Sequence, residues 1–177
     1  MKTPRCILRR ATPADAAALA ELAATTFREA YLATNDPAHV EAHIADNYGV
    51  EKLAAELADP AQLTWFALQG DAPVGFLTLR PGATTPAVSG PRPMQLHRIY
   101  VLAVRYGQGD GAALMQTALD EGRRLGCATL WLSLWDQNHR AMAFYEKWGF
   151  AIVGTMPFLF GGVMYEDPVM ARAIQSE

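Results

Sequence analysis

The 177-residue chain is poor in the features that would place it in several large classes. It has only two cysteines, Cys6 and Cys127, far apart and with no C-x-x-C or Cys/His spacing. Neither a disulfide framework nor a metal site is expected from them. No run approaches the roughly 18 apolar residues of a membrane span, and the first fifteen residues have no apolar signal core, so a cytoplasmic protein is expected. There is no excess of one charge: 15 Lys+Arg stand against 18 Asp+Glu, a formal net charge of −3. Without a basic field to attract a phosphate backbone, nucleic acid is not expected as a partner. Internal repeats and low-complexity tracts are also lacking. What is present is 51% hydrophobic and 19% charged residues, the balance of a well-packed globular chain, and the length suits a single domain over 1–177.

Helix signals open the chain. Thr12-Pro13-Ala14-Asp15 combines a capping hydroxyl, a proline at the first helical position and an acid, and Leu19, Leu22, Ala23 and Phe27 follow at helical spacing. Asp36-Pro37 repeats the start ahead of Val40 and Ile44, and Glu51 to Ala58 forms a third short helix with Leu53 and Leu57 on one side. Two β-prone runs, Leu63 to Leu68 and Pro73 to Leu79, form a hairpin. Pro81 to Pro93 holds four prolines and two glycines and reads as a mobile connector, with substrate gating as the alternative. From residue 94 the order is strand (Met94 to Val104), helix (Gly109 to Leu125), strand (Ala128 to Trp135) and helix (Asn138 to Trp148). Final strands follow at Phe150 to Gly154 and Met164 to Ala171. This order predicts an α/β fold with a mixed sheet and helices on both faces.

The most informative stretch is the strand–turn–helix junction around Tyr106, Gly107, Gln108, Gly109, Asp110, Gly111 and Ala112. Unpaired N–H groups and the positive end of a helix dipole meet there, and glycine lets phosphate oxygens approach them, so the junction suits a pyrophosphate. The pattern G-x-x-x-x-G-K-[ST] is absent, which excludes a P-loop. Gly107-x-Gly109-x-x-Ala112 satisfies the dinucleotide fingerprint, but Asp120 and Glu121 fall inside the helix, Asp136 comes late, and too little chain follows for a doubly wound sheet. A glycine turn without a ligand is the remaining alternative.

Downstream, Asn138-x-x-Ala141-x-x-Phe144-Tyr145-x-x-x-Gly149-Phe150 follows the turn. Together the two motifs resemble the GCN5-related N-acetyltransferase (GNAT) superfamily. Its N-x-x-A-x-x-F-Y-x-x-x-G-F signature is matched at every fixed position, and its R/Q-x-x-G-x-G/A turn at all but the first. A narrower likeness, in Arg98 to Val101, Trp131 to Asn138 and Gly154…Phe158…Gly161…Asp167…Met170, is to bacterial spermidine/spermine N-acetyltransferases. The resemblance implies the GNAT acyl-CoA N-acyltransferase fold, with a mostly antiparallel mixed sheet, and direct acetyl transfer from acetyl-CoA to a small polyamine-like amine in a ternary complex. It also implies a homodimer as an assembly. A protein N-terminus or amino acid as acceptor, a catalytically silent acyl-CoA sensor and a nicotinamide-dependent oxidoreductase stand as alternatives.

Residues can be matched to the chemistry. Tyr145, a phenol with an ordinary pKa near 10, is the candidate acid for the departing thiolate; packing on the sheet would equally place a tyrosine there. The family strand at Ile99, Tyr100 and Val101 would pair with pantetheine and offer an N–H to the thioester oxygen. Residues 106–112 would hold the pyrophosphate, with Arg105 or Arg140 free for the 3′-phosphate, and Asn138 would cap its helix and contact pantetheine. Strand alternation puts Gln95, His97, Ile99 and Val101 on one face. His97 is the candidate base, while a structural histidine or a water chain would also satisfy the pattern. Two departures from the family pattern stand out: Tyr106 replaces Arg/Gln, and Asp110 replaces an apolar residue, where a carboxylate would repel phosphate unless turned to solvent. Glu29, Asp36, Glu41 and Asp46, with Tyr31 and His43, are candidates near an acceptor amine, and Trp131 and Trp135 for an aromatic wall. No metal ligands are expected.

Overall fold

A computed structural model describes residues 6–175. In chain order it forms β1 (Ile7–Arg10), α1 (Ala16–Tyr31), α2 (Pro37–Asn47), α3 (Val50–Ala58), β2 (Leu63–Gln69), β3 (Ala72–Pro81) and β4 (Pro93–Val101). These are followed by α4 (Asp110–Arg124), β5 (Thr129–Ser133), α5 (His139–Lys147), β6 (Ala151–Phe160) and β7 (Val163–Ala173). Seven strands hydrogen-bond in the order β1-β2-β3-β4-β5-β7-β6. β4 and β5 run parallel, whereas β1–β2, β5–β7 and β6–β7 are antiparallel, the mixed sheet that the strand and helix order predicts. Among the described residues, no helix is long and apolar enough to cross a membrane. The chain forms two compact units, one of residues up to Thr78 with Arg98–Thr117, the other of Leu79–His97 with residues from Ala118 onward.

In the first unit, the start signals act as expected. Asp15 accepts the Thr12 N–H at 2.8 Å, completing a capping box around a single 3-10 turn that leads into α1. Asp36 Oδ1 accepts the Ala38 N–H at 2.8 Å and caps α2. Leu19, Leu22, Ala23 and Phe27 on α1, Val40 and Ile44 on α2 and Leu53 on α3 are buried. Each fully buried large side chain contributes about 1.5–3 kcal/mol. Strand β1 has no counterpart in the hydrophobic pattern: Ile7 and Arg9 alternate with Leu8 and Arg10, and none is fully buried. It is held instead by its ladder to β2 and by Arg9, which donates to both Asp15 oxygens at 3.0 and 2.9 Å.

In the second unit, the proline-rich segment 82–92 is tied down rather than loose. Gly82 N–H donates to Pro93 O at 2.8 Å, Trp131 Nε1 to Ala83 O at 2.8 Å, Thr129 Oγ1 to Pro91 O at 3.0 Å and Arg92 Nε to Gly126 O at 2.8 Å. Proline and glycine here relieve ladder pairing, and side chains of β5 supply the missing bonds. β4 stops at Val101, three residues earlier than its apolar run suggests, and β5 stops at Ser133. The final hairpin is longer than expected because Gly161 and Gly162, at φ +59° and +76°, form the two-residue turn whose twist suits extended strand pairing.

Candidate active site

The parallel ladder between β4 and β5 covers only Pro93↔Thr129, Met94↔Leu130 and Gln95↔Trp131. It ends there although β4 runs on to Val101 and β5 to Ser133. Strands that stop pairing before they end leave backbone donors and acceptors for another partner. On β4, Met94, Leu96 and Arg98 are buried, while Gln95, His97 and Ile99 share the half-buried alternate positions, in agreement with the expected alternation.

Beyond β4 the chain is anchored by Leu102 N–H to Val74 O at 2.9 Å and makes one 3-10 turn over Ala103–Arg105. Glu29 of α1 accepts the Ala103 N–H at 2.8 Å. Gly107 and Gly109 follow at φ +75° and +95°, which a side chain would strain. A Cβ built on either meets no atom within 4 Å, so the space beside each glycine is open. The first helical bond runs from Ala113 N–H to Gly109 O at 3.0 Å. The N–H groups of Asp110, Gly111 and Ala112 therefore project from the start of α4 with no partner inside the helix, at its positive end. Thus Ile99, Tyr100, Val101 and residues 106–112 lie on one continuous strand end, turn and helix start.

Asp110 does not behave as its position in the turn suggests. It is only 2% exposed and turns inward, where Arg105 Nε and Nη2 donate to its two oxygens at 2.7 and 3.1 Å. The pair is bidentate and buried, so the carboxylate is compensated and does not face the open side. Arg105, 7% exposed, is consequently engaged and not free for a phosphate. Burial first, and the neighbouring Asp110 carboxylate second, push the pKa of the Cys6 thiol up to about 11.

In the second unit, Asn138 caps α5, its Oδ1 accepting the Ala141 N–H at 3.2 Å. Tyr145 is buried, with its ring 5.5 Å from Phe144 and 5.7 Å from Phe150. Gly149, at φ +82°, ends the helix, and Phe150 N–H returns to Tyr145 O at 3.1 Å. Arg140 is exposed on the first turn. Trp131 is buried in the core, and Trp135 lies past the end of β5, so the two do not form one strand wall. Of the N-terminal acids, Glu41 is taken by Arg28 at 2.6 and 2.7 Å, Glu29 by Ala103, and Asp36 by its own cap. His43 stacks on Phe27 at 4.4 Å, and burial, then Arg98, hold its pKa down to about 4.

Two further residues are of consequence: Gly75 lies in no sequence motif, and Asp167 belongs to the C-terminal likeness to polyamine acetyltransferases. A Cβ on Gly75 of β3 would lie 2.9 Å from Tyr100 O, 3.1 Å from Val101 and 3.3 Å from Leu114. Glycine there lets β3 approach the strand end that leads into the turn. Asp167 of β7 is a buried acid, 6% exposed, whose carboxylate accepts no hydrogen bond and meets no cation among the described residues.

Comparison with known proteins agrees with this architecture. Residues 17–150 match the acetyltransferase (GNAT) family. The chain belongs to that family. It is accordingly an N-acetyltransferase, and acetyl-CoA is the acetyl donor of the family. It is 32% identical over 160 residues to an uncharacterized N-acetyltransferase of Mycobacterium tuberculosis, covering 90% of this chain and 98% of that one. An uncharacterized N-acetyltransferase of Lactobacillus delbrueckii subsp. lactis is 24% identical, over 84% of this GNAT chain and 86% of the relative. Among solved structures, the PaiA N-acetyltransferase of Thermoplasma acidophilum, crystallised in complex with coenzyme A, superposes with a TM-score of 0.80 at 21% identity, over 96% of this chain and 99% of that one. At that identity the likeness is one of fold.

Proposed function

We propose that this GNAT transfers acetyl from acetyl-CoA directly to a primary amine of a small, polyamine-like acceptor in a ternary complex. The observation that carries the reading is the open turn at residues 106–112. Two glycines at positive φ with open space beside them and the projecting N–H groups of Asp110, Gly111 and Ala112 fit a pyrophosphate. With Asp110 turned inward onto Arg105, no carboxylate opposes an anion there. The likeness of Trp131 to Asn138 and of the terminal strands to polyamine acetyltransferases supports the acceptor class.

When bound, acetyl-CoA supplies the activated thioester. In this reading the backbone of Ile99–Val101 pairs with the pantetheine arm and donates an N–H to the thioester oxygen; a donor of that kind contributes about 2.7–4 kcal/mol in other acyl transfers. His97 takes the proton of the attacking amine, directly or through water. Tyr145 gives a proton to the departing thiolate, and Asn138 contacts pantetheine while capping α5. Exposed Arg140 would meet the 3′-phosphate. A covalent acetyl-enzyme is not needed: the Cys6 thiol, pushed up to about 11, is protonated at neutral pH and a poor nucleophile. The test is CoA release from acetyl-CoA against spermidine, spermine, amino acids and short peptides. Polyamine-dependent release that falls about 10²-fold in Tyr145→Phe is expected. Acetyl-CoA binding without release on any amine would indicate a silent sensor and overturn the proposal.

A further inference from the structure

A buried carboxylate is normally paired, because desolvation penalises the charge. Asp167 has neither cation nor hydrogen-bond donor among the described residues. Its surroundings increase the cost. Burial first, then Asp136 in the loop after β5, then Glu166 beside it on β7, push its pKa up to about 6, so that it is still mostly ionised at neutral pH. Asp136 and Glu166 are exposed, and Glu166 accepts a hydrogen bond from Thr155 Oγ1 at 3.1 Å. Asp167 and Asp136 thus share one neighbourhood, with the buried one unpartnered, an arrangement that an external cation would complete, while Glu166, one residue along β7, projects from the opposite face of the strand.

The kind of cation follows from the donors. Among the described residues no three His, Cys, Asp or Glu side chains are grouped closely enough to hold a metal ion. One mostly buried carboxylate with a second near it suits a group that carries several N–H donors and a single charge. The location is also specific. Val169 pairs with Ser133, and Leu134 N–H donates to Pro168 O at 3.2 Å, which sets Asp167 at the carboxyl end of β5. At this end the β4–β5 ladder has already stopped, and the chain passes from Asp136 to the Asn138 cap of the helix that carries Tyr145.

We infer that Asp167, with Asp136 near it, binds an ammonium group of the acceptor, and so makes this enzyme selective for amines that are cationic at more than one nitrogen. The inference rests on the acetyl-transfer reading for the word acceptor, but the binding site itself can be probed without turnover. The probes are 1,4-diaminobutane and spermidine, with 1,4-butanediol as the uncharged control, on the full chain at low salt and pH 7.5. The diamine raises the melting temperature of the wild type and not of Asp167→Asn, the diol raises neither, and acetyl-CoA raises both equally. In steady state, Asp167→Asn increases KM for spermidine at least tenfold while KM for acetyl-CoA changes less than twofold. Should Asp167→Asn fail to fold, Asp136→Asn at the exposed position decides, with an increase of at least fivefold in KM for spermidine expected. A diamine shift or spermidine KM that is the same in the variants and the wild type overturns the inference. Failure of the acetyl-transfer reading looks different: no shift with acetyl-CoA and no CoA release on any amine, while the diamine shift and its loss in Asp167→Asn persist.

Discussion

Replacing Arg105 with methionine strands the carboxylate of Asp110. That group is 2% exposed, and its two oxygens receive guanidinium N–H donors at 2.7 and 3.1 Å. Removing one partner of a buried pair leaves an uncompensated charge and costs about 3–5 kcal/mol. In a chain of this size about 1 kcal/mol moves the melting temperature by about 2–4 °C, so Arg105→Met is expected to melt about 10 °C below the wild type. Replacing both partners by apolar side chains of similar shape removes the charge as well as the bond. Arg105→Met/Asp110→Leu should therefore lie within about 1–2 kcal/mol of the wild type. The assay is urea unfolding of the two single variants and the double variant, read as a double-mutant cycle with a coupling of more than about 2 kcal/mol. Because Asp110 is the first residue of α4, the single variant should also raise KM for acetyl-CoA and leave KM for the amine unchanged. Arg105→Met unfolding within 1 kcal/mol of the wild type, or a double variant no more stable than the single one, would refute the pairing as the reason for an acid at this position.

Other consequences can be measured alongside. Gly75→Ala pushes a methyl to 2.9 Å from Tyr100 O, where the neighbour is backbone, so a loss of about 1–3 kcal/mol in urea unfolding is expected; an unchanged midpoint would contradict the close approach. Gly109→Ala, at φ +95° and facing open space, should cost about 1–2 kcal/mol through strain and weaken acetyl-CoA binding at least tenfold by calorimetry; full affinity would remove the turn from the cofactor site. Two groups, buried Asp167 and half-buried His43, give stability opposite slopes with pH. The folded pKa of Asp167 lies at about 6, above its usual 3.8, so stability falls as pH rises through that window by about 3 kcal/mol. The folded pKa of His43 is held down to about 4 from 6.5, so stability falls as pH drops through that window. Asp167→Asn should expose the acid-side loss and His43→Phe the loss on raising pH; a wild-type slope steeper than that of either variant would refute the opposition.

The helices were legible because their signals are local. Thr12 with Asp15, Asp36 before Pro37, Asn138 and the stops at Gly126 and Gly149 all act within a few residues of where they stand. β1 was not legible, since Ile7–Arg10 has no buried face to impose a period of two and owes its place to β2 and to Asp15. The segment 82–92 misled for a related reason: proline and glycine report what backbone cannot pair with itself, not that Trp131, Thr129 and Arg92 will tie it down. In the turn, the glycines carry their own physics and were readable. The sign of Asp110 was not, because a charge five residues from Arg105 reveals nothing of whether the two turn inward together. Those two residues account jointly for the departure from the family pattern, an apolar position exchanged for a neutralised pair.

The same comparison separates Asp167 from the other buried acids. Glu56 on α3 is met by Arg98 at 2.6 Å, and that guanidinium lies 5.2 Å from the centre of the Tyr48 ring; Asp110 is met by Arg105. In both cases the partner belongs to the chain, so the charge is part of the fold and its removal should destabilise. Asp167 is buried like Asp110 but has no partner among the described residues, and the charges that act on it are of its own sign. Folding alone would favour asparagine there, and Asp167→Asn should raise the melting temperature at pH 7 as it abolishes diamine binding. Stability and binding that move in opposite directions at one residue mark a charge kept for a ligand, because a structural acid would lose both together.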